Sequence, residues 1–209
     1  MLSRSTAHIF IPVLVTVLFF CGCTGQTPYQ PLSGDVVFQI SKSEQSRAIQ
    51  LATGSRYSHV GIIFVRDGKA FVLEAVQTVK LTAFDTWIER GVDSHFVAKR
   101  IFNSDNVITD YAVKKAESLA DSMMGKKYDS YFEWSDDRLY CSELVWKFYK
   151  RTLNVELCPL RRLGDFNLTD PLVEKGLKER YGPAIPLDEP VVAPSDLFDS
   201  DLLTQVYSD

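Results

Sequence analysis

His59-Val60-Gly61-Ile62-Ile63-Phe64-Val65 and Ala70-Phe71-Val72-Leu73-Glu74-Ala75-Val76, joined by Arg66-Asp67-Gly68-Lys69, are the stretch on which the reading of this chain turns. Both runs are rich in β-branched and aromatic residues, and Asp-Gly between two such runs is a strong signal for a two-residue hairpin. A symmetric turn on Asp67-Gly68 sets His59 opposite Val76 and Gly61 opposite Glu74, with all four on one face of the sheet. Glu74 is then the diagonal neighbour of His59, at about 7–8 Å between backbones and less between side-chain tips. A three-residue loop would shift the register and carry Glu74 to the other face.

Outward from the hairpin, Gly34-Asp35 opens a strand over Val36–Ile40, and Ser43–Thr53 reads as a short helix ended near Gly54. A further strand is expected over His95–Phe102. Apolar residues recur at helical spacing from Asn106 to Met124, where Gly125 stops the run. Cys141–Arg151 reads as a second long helix, with Cys141, Leu144, Val145 and Phe148 on one stripe. Pro171 after Asp170 starts a weaker helix that runs to about Tyr181 and ends at Gly182. The Pro-broken remainder is expected to pack as strands and turns. The class is α+β, with a small, mostly antiparallel sheet against helices.

The length of 209 residues and an apolar content of 45% suit one domain with a real core. A net charge of −4 leaves no polycationic footprint, so nucleic acid is not an expected partner. There is no Gly-rich phosphate loop and no Cys-x-x-Cys pair. The histidines, His8, His59 and His95, are few for a His-based metal site, and no cofactor is implied. Residues 1–23 read as a signal segment: Arg4, the apolar run Ile9–Phe20, then Cys21-Gly22-Cys23. The run is short of the roughly 20 residues that span a bilayer. Its end resembles a bacterial lipoprotein processing site with Cys23 as the lipidated residue, although Phe20 stands where Leu is usual; plain signal cleavage is the alternative. Residues 24–33 read as a linker and residues 34–209 as the folded domain. The expected location is the cell envelope, either anchored to the membrane through an N-terminal lipid or free in the periplasm.

Chemistry concentrates at Cys141. In the first turn of a helix, free amides and the helix dipole favour a thiolate. By composition alone, Cys141 would read as a small buried hydrophobe on its stripe; His59 as a base and Glu74 as its orienting carboxylate change that balance. Ser58-His59-Val60-Gly61, Leu73-Glu74-Ala75, Gly125-Lys126-Lys127-Tyr128-Asp129 and Tyr140-Cys141-Ser142-Glu143-Leu144-Val145-Trp146 occur in that order. In this the chain resembles the permuted papain-like cysteine hydrolases of the YiiX/YaeF type, within the wider NlpC-type peptidase group, from about Gly34 to the C-terminal Val192-Ala193-Pro194-Ser195. The resemblance implies a circularly permuted papain-like fold, with the His-bearing strands before the Cys-bearing helix. It also implies Cys141 as nucleophile, His59 as base and Glu74 as third residue, with Tyr128 or Tyr140 lining the site or its oxyanion pocket. His95 reads as a strand or surface histidine and Cys158 as a structural thiol. Trp134-Ser135-Asp136-Asp137 suits either substrate contact or, preferably, acidic charge at the helix start. Three functions follow as expectations. The first is amide hydrolysis in cell-wall peptides through a thioester. The second is lipid ester or amide hydrolysis or acyl transfer, as in lecithin retinol acyltransferase-like proteins. The third is a non-catalytic envelope lipoprotein that binds peptide or lipid.

Overall fold

The structure, a computed structural model, describes residues 29–102 and 110–208. The expected signal segment with Cys21 and Cys23, the first half of the linker and the first residues of the helix expected from Asn106 lie outside the described residues.

The hairpin forms from β2 (His59–Arg66) and β3 (Lys69–Ala75). Asp67 (φ 51°) and Gly68 (φ 72°) both occupy the left-handed region, as a two-residue turn matched to strand twist requires. Pairing runs from Arg66↔Lys69 to Ile62↔Leu73, which is the symmetric register. Gly61, just before this paired run, sits tight against the facing strand. A Cβ there would lie 2.3 Å from Val72 Cγ1 and 3.0 Å from the Leu73 carbonyl oxygen. Gly61→Ala should therefore lower stability by about 1–3 kcal/mol through overpacking; an unchanged urea midpoint would contradict this.

β1 (Val36–Ser41) lies between β2 and β5 (Gly91–Ile101), and the six-stranded sheet is completed by β4 (Val79–Ala83) beside β3 and β10 (Leu203–Ser208) beside β5. All its neighbours are antiparallel. Alternation sorts its residues onto two cores. Val36, Phe38, Val60, Ile62, Phe64, Leu73 and Val97 face the long helix Cys141–Leu153, which brings Leu144, Val145 and Phe148. Val37, Ile63, Val72 and Ala98 face Phe84 and Trp87 of a short helix, Phe84–Arg90. Fully burying each large aliphatic side chain contributes about 1.5–3 kcal/mol, so both faces hold the sheet.

The remaining helices are Glu44–Thr53, capped by the Ser43 side chain and by Gly54 in the left-handed region, Asp110–Met123, Pro171–Tyr181 and Pro194–Phe198. With them, the helices of the described residues are α1 (Glu44–Thr53), α2 (Phe84–Arg90), α3 (Asp110–Met123), α4 (Cys141–Leu153), α5 (Pro171–Tyr181) and α6 (Pro194–Phe198). The short pairs β6 (Lys127–Tyr128) with β7 (Arg138–Leu139) and β8 (Arg161–Arg162) with β9 (Pro190–Val191) stitch the loops together. Among the described residues no helix is long and apolar enough to cross a membrane. The His-bearing strands precede the Cys-bearing helix, which is the permuted order.

Candidate active site

Cys141 is the first residue of α4 and is 3% exposed, with its surface at the floor of a cleft. The helix start is tied down on both sides. Tyr140 N–H donates to Glu143 Oε2 at 3.3 Å, and Ser142 Oγ donates to the Val192 carbonyl at 2.7 Å. Glu143, fully buried, lies 2.7 Å from Lys147 Nζ; burial pushes its carboxyl up to about 7, against the hydrogen bond and charge of that lysine.

His59 is fixed from the opposite side. Ser58, just before it, is buried: its hydroxyl accepts from Ser41 N–H at 3.0 Å and shares a hydrogen bond with Ser46 Oγ at 2.6 Å. This locks the strand start against α1. His59 Nε2 meets Glu74 Oε2 at 2.7 Å, and Cys141 is near enough to the same imidazole to act on its charge. With Nε2 committed to Glu74, Nδ1 is the ring nitrogen left for sulfur. Burial pulls the imidazole down, but its hydrogen bonds and charge interactions with Cys141 and Glu74 outweigh this and raise its pKa to about 9.

Glu74 has no exposed surface. Its Oε1 accepts from Thr82 Oγ1 at 2.6 Å and Arg90 Nη2 at 2.5 Å, while Oε2 serves His59. Burial would raise its pKa, yet His59, then Arg90 and Thr82, bring it down to about 2. The structure therefore brings Cys141, His59 and Glu74 into one chain of contacts. Thr82 and Arg90 were missed in the sequence because β4 and α2 are too short for a periodic signal; the remaining clue is Thr82, which lies on β4 one turn of chain beyond the hairpin.

Tyr128 and Tyr140 part company. Both line the cleft, but the Tyr140 hydroxyl accepts from Val192 N–H at 3.2 Å and its ring packs edge-on against Phe132. The Tyr128 hydroxyl accepts from Gln45 Nε2 at 3.3 Å, and burial, followed by the Cys141 charge, holds its proton on at any working pH. Asp129 organises the adjoining loop by accepting from Tyr131 and Glu133 N–H at 2.8 and 2.7 Å. Asp136, expected at the helix start, instead pairs with Lys147 and Arg151 further along α4, at 3.0 and 2.6 Å. Opposite charge on long side chains draws it there. Cys158 is a free thiol outside the site, pushed up to about 12 by burial and by Asp196. His95 lies half-buried in β5, stacked on Tyr57 at 6.3 Å.

The cleft has a volume of about 510 Å³ and runs between α1 and α5. Its walls are mostly apolar, including Ile49, Leu163, Phe166, Leu168, Val173 and Leu177.

A family model described as permuted papain-like amidase enzyme, YaeF/YiiX, matches residues 30–207. The chain is 45% identical over 178 residues to the uncharacterized protein YiiX of Escherichia coli K12, covering 85% of this chain and 87% of that protein. It is also similar to a crystal structure described as the metalloprotein yiiX from Escherichia coli O157:H7, with TM-score 0.82 and 45% identity over 87% of this chain and 99% of that one. Among the described residues here, no group of three or more His, Cys, Asp or Glu side chains could hold a metal ion. Both oxygens of Glu74 are already occupied by protein donors.

Proposed function

We propose that this chain, which belongs to the permuted papain-like amidase family of YaeF/YiiX type, is an exported cysteine amidase acting through a thioester at Cys141. The observation that carries this reading is a thiol at a helix start, beside an imidazole that Glu74 holds at 2.7 Å. The thiol proton rests on His59, so a thiolate faces an imidazolium, and sulfur attacks the amide carbonyl carbon. The oxyanion meets the free amides of the first turn of α4, where helices leave such donors unpaired. Tyr128, which keeps its proton, is a further donor facing the cleft. The imidazolium then protonates the leaving amine as the C–N bond breaks. Water attacks the thioester, His59 takes its proton, and the acid is released with the thiol restored.

Cell-envelope peptides are the substrate class suggested by the signal segment. The apolar walls of the cleft favour a second reading, in which the acyl part is a lipid chain. Incubation with muropeptides and long-chain acyl amides side by side, with intact-mass detection of an acyl adduct on Cys141, separates the two. Turnover of neither class, with no adduct, would sink the amidase reading. Export is tested at the N-terminus of the mature protein: a lipid-modified Cys23 is expected, and an intact Met1 would overturn it.

The pH profile follows from His59. Its imidazolium is the acid that serves the leaving amine and lies on the low-pH side of a pKa raised to about 9. kcat/KM should therefore hold to pH 8 and fall as pH rises through about 9. A fall centred near the ordinary histidine value would show that the contacts to Cys141 and Glu74 do not act on the imidazole in solution.

A further inference from the structure

Four charged side chains line the cleft above Cys141: Glu44, Lys175, Glu179 and Arg180. Lys175 and Glu179 are exposed and lie one helical turn apart, with Nζ 3.8 Å from Oε1. Glu44 is exposed in the first turn of α1. Arg180 differs from all three. It is half-buried, and its guanidinium lies 4.7 Å from the centre of the Phe132 ring. No carboxylate or carbonyl among the described residues takes its donors. Phe132 in turn packs edge-on, at 5.2 Å between centroids, against Tyr140, the residue preceding the nucleophile. Arg180, Tyr128 and Cys141 all line this one cleft.

A guanidinium stacked on an aromatic ring has already lost much of its rotamer freedom, and its fork of donors matches a carboxylate or phosphate. Desolvation in an apolar cleft strengthens such a contact. We propose that Arg180 forms an anion-binding subsite, seating a carboxylate or phosphate of the substrate near the bond that Cys141 attacks. The proposal rests on the reading of Cys141 as nucleophile and narrows its substrates to amides that bear an acid group beside an apolar portion.

Two matched pairs of thiol-alkylating reagents test it without a known substrate: iodoacetyl-glycine against iodoacetyl-glycinamide, and iodoacetyl-ethanolamine phosphate against iodoacetyl-ethanolamine. Second-order labelling of Cys141 in the full chain is followed by mass spectrometry. The anionic member of at least one pair should label wild-type Cys141 about tenfold faster than its neutral partner, the scale of one charge-assisted contact. Which pair responds distinguishes carboxylate from phosphate. Arg180→Gln should remove that preference without slowing the neutral reagents, and Arg180→Lys should keep part of it. Equal rates within both pairs in the wild type, or an undiminished preference in Arg180→Gln, overturn the subsite. Neutral reagents that label Cys141 no faster than Cys158 instead sink the nucleophile reading, and the subsite falls with it. Matching thermal midpoints for the variants exclude loss of fold as the cause.

Discussion

Cys141→Ala is expected to remove amide hydrolysis altogether, by about ten-thousand-fold or more, because no neighbouring group can replace the sulfur that forms the covalent intermediate. Removing the nucleophile leaves only binding and the oxyanion donors, which give little turnover alone. The structural cost should be small: the side chain is one sulfur atom at a helix start, and the packing of Leu144, Val145 and Phe148 is untouched. Cys158→Ala is the internal control. That thiol lies outside the site and is held protonated by burial, up to about 12, so its loss should leave turnover unchanged. In wild-type protein near neutral pH, iodoacetamide should label Cys141 well before Cys158. Residual turnover above one-hundredth in Cys141→Ala would overturn Cys141 as the nucleophile, and equal labelling of the two thiols would favour a binding protein over an enzyme.

The parts of the site visible in the sequence were those set by local rules. The two-residue turn that Asp67-Gly68 favours aligns Glu74 with His59 through local chain geometry alone. Gly54 and Gly182 marked the ends of α1 and α5 for the same reason, a chain reversal that costs other residues strain. What stayed hidden was set by distant contacts. Arg90 is the last residue of a seven-residue helix with only Phe84 and Trp87 buried, too short for a periodic stripe. β10 is an edge strand in which Leu203 alone is fully buried, so it carried no alternation to read. The strand expected from His95 begins earlier, at Gly91, where a Cβ would meet the Gln39 side chain at 2.4 Å. Cleft walls drawn from α1, the 163–168 segment and α5 have no signature along the chain, since they meet only once the sheet is folded.

Glu74→Gln should be nearly as damaging as loss of the nucleophile, and the reason is Arg90. The carboxylate now accepts on both oxygens, from Thr82 and Arg90 on one side and from His59 on the other. Arg90 is a donor in every state, so it draws the carbonyl oxygen of a glutamine and turns the amide nitrogen toward His59. Nε2 must then accept, the ring proton moves to Nδ1, and the nitrogen facing Cys141 can no longer take the thiol proton. The wrong tautomer in an otherwise intact site costs about ten-thousand-fold in serine hydrolases, and a loss of similar order is expected here. Replacing Arg90 as well, as in Glu74→Gln with Arg90→Leu, removes the constraint on the amide. Its oxygen can then accept from Nε2, and turnover should recover in part, although each change alone is harmful. No recovery in the double variant would overturn the tautomer argument.

Stability carries a second signature of the same pair. Glu74 is lowered to about 2, so its contribution is complete above the ordinary glutamate range and is lost as pH falls through 2. His59 is raised to about 9, so its contribution is complete below the ordinary histidine value and is lost as pH climbs through 9. Wild-type stability should therefore peak in the mildly acidic window between those ordinary values and decline on both sides. Glu74→Gln should flatten that peak, with a loss on the order of 3 kcal/mol at its centre, the scale for breaking a buried pair from one end. Arg90, with 38% of its side chain exposed, can turn to water and soften the loss; His59, with 9%, cannot. Urea melts of the two proteins from pH 4 to 10 check this, and parallel curves across that range would show that the pair does not titrate as the geometry requires.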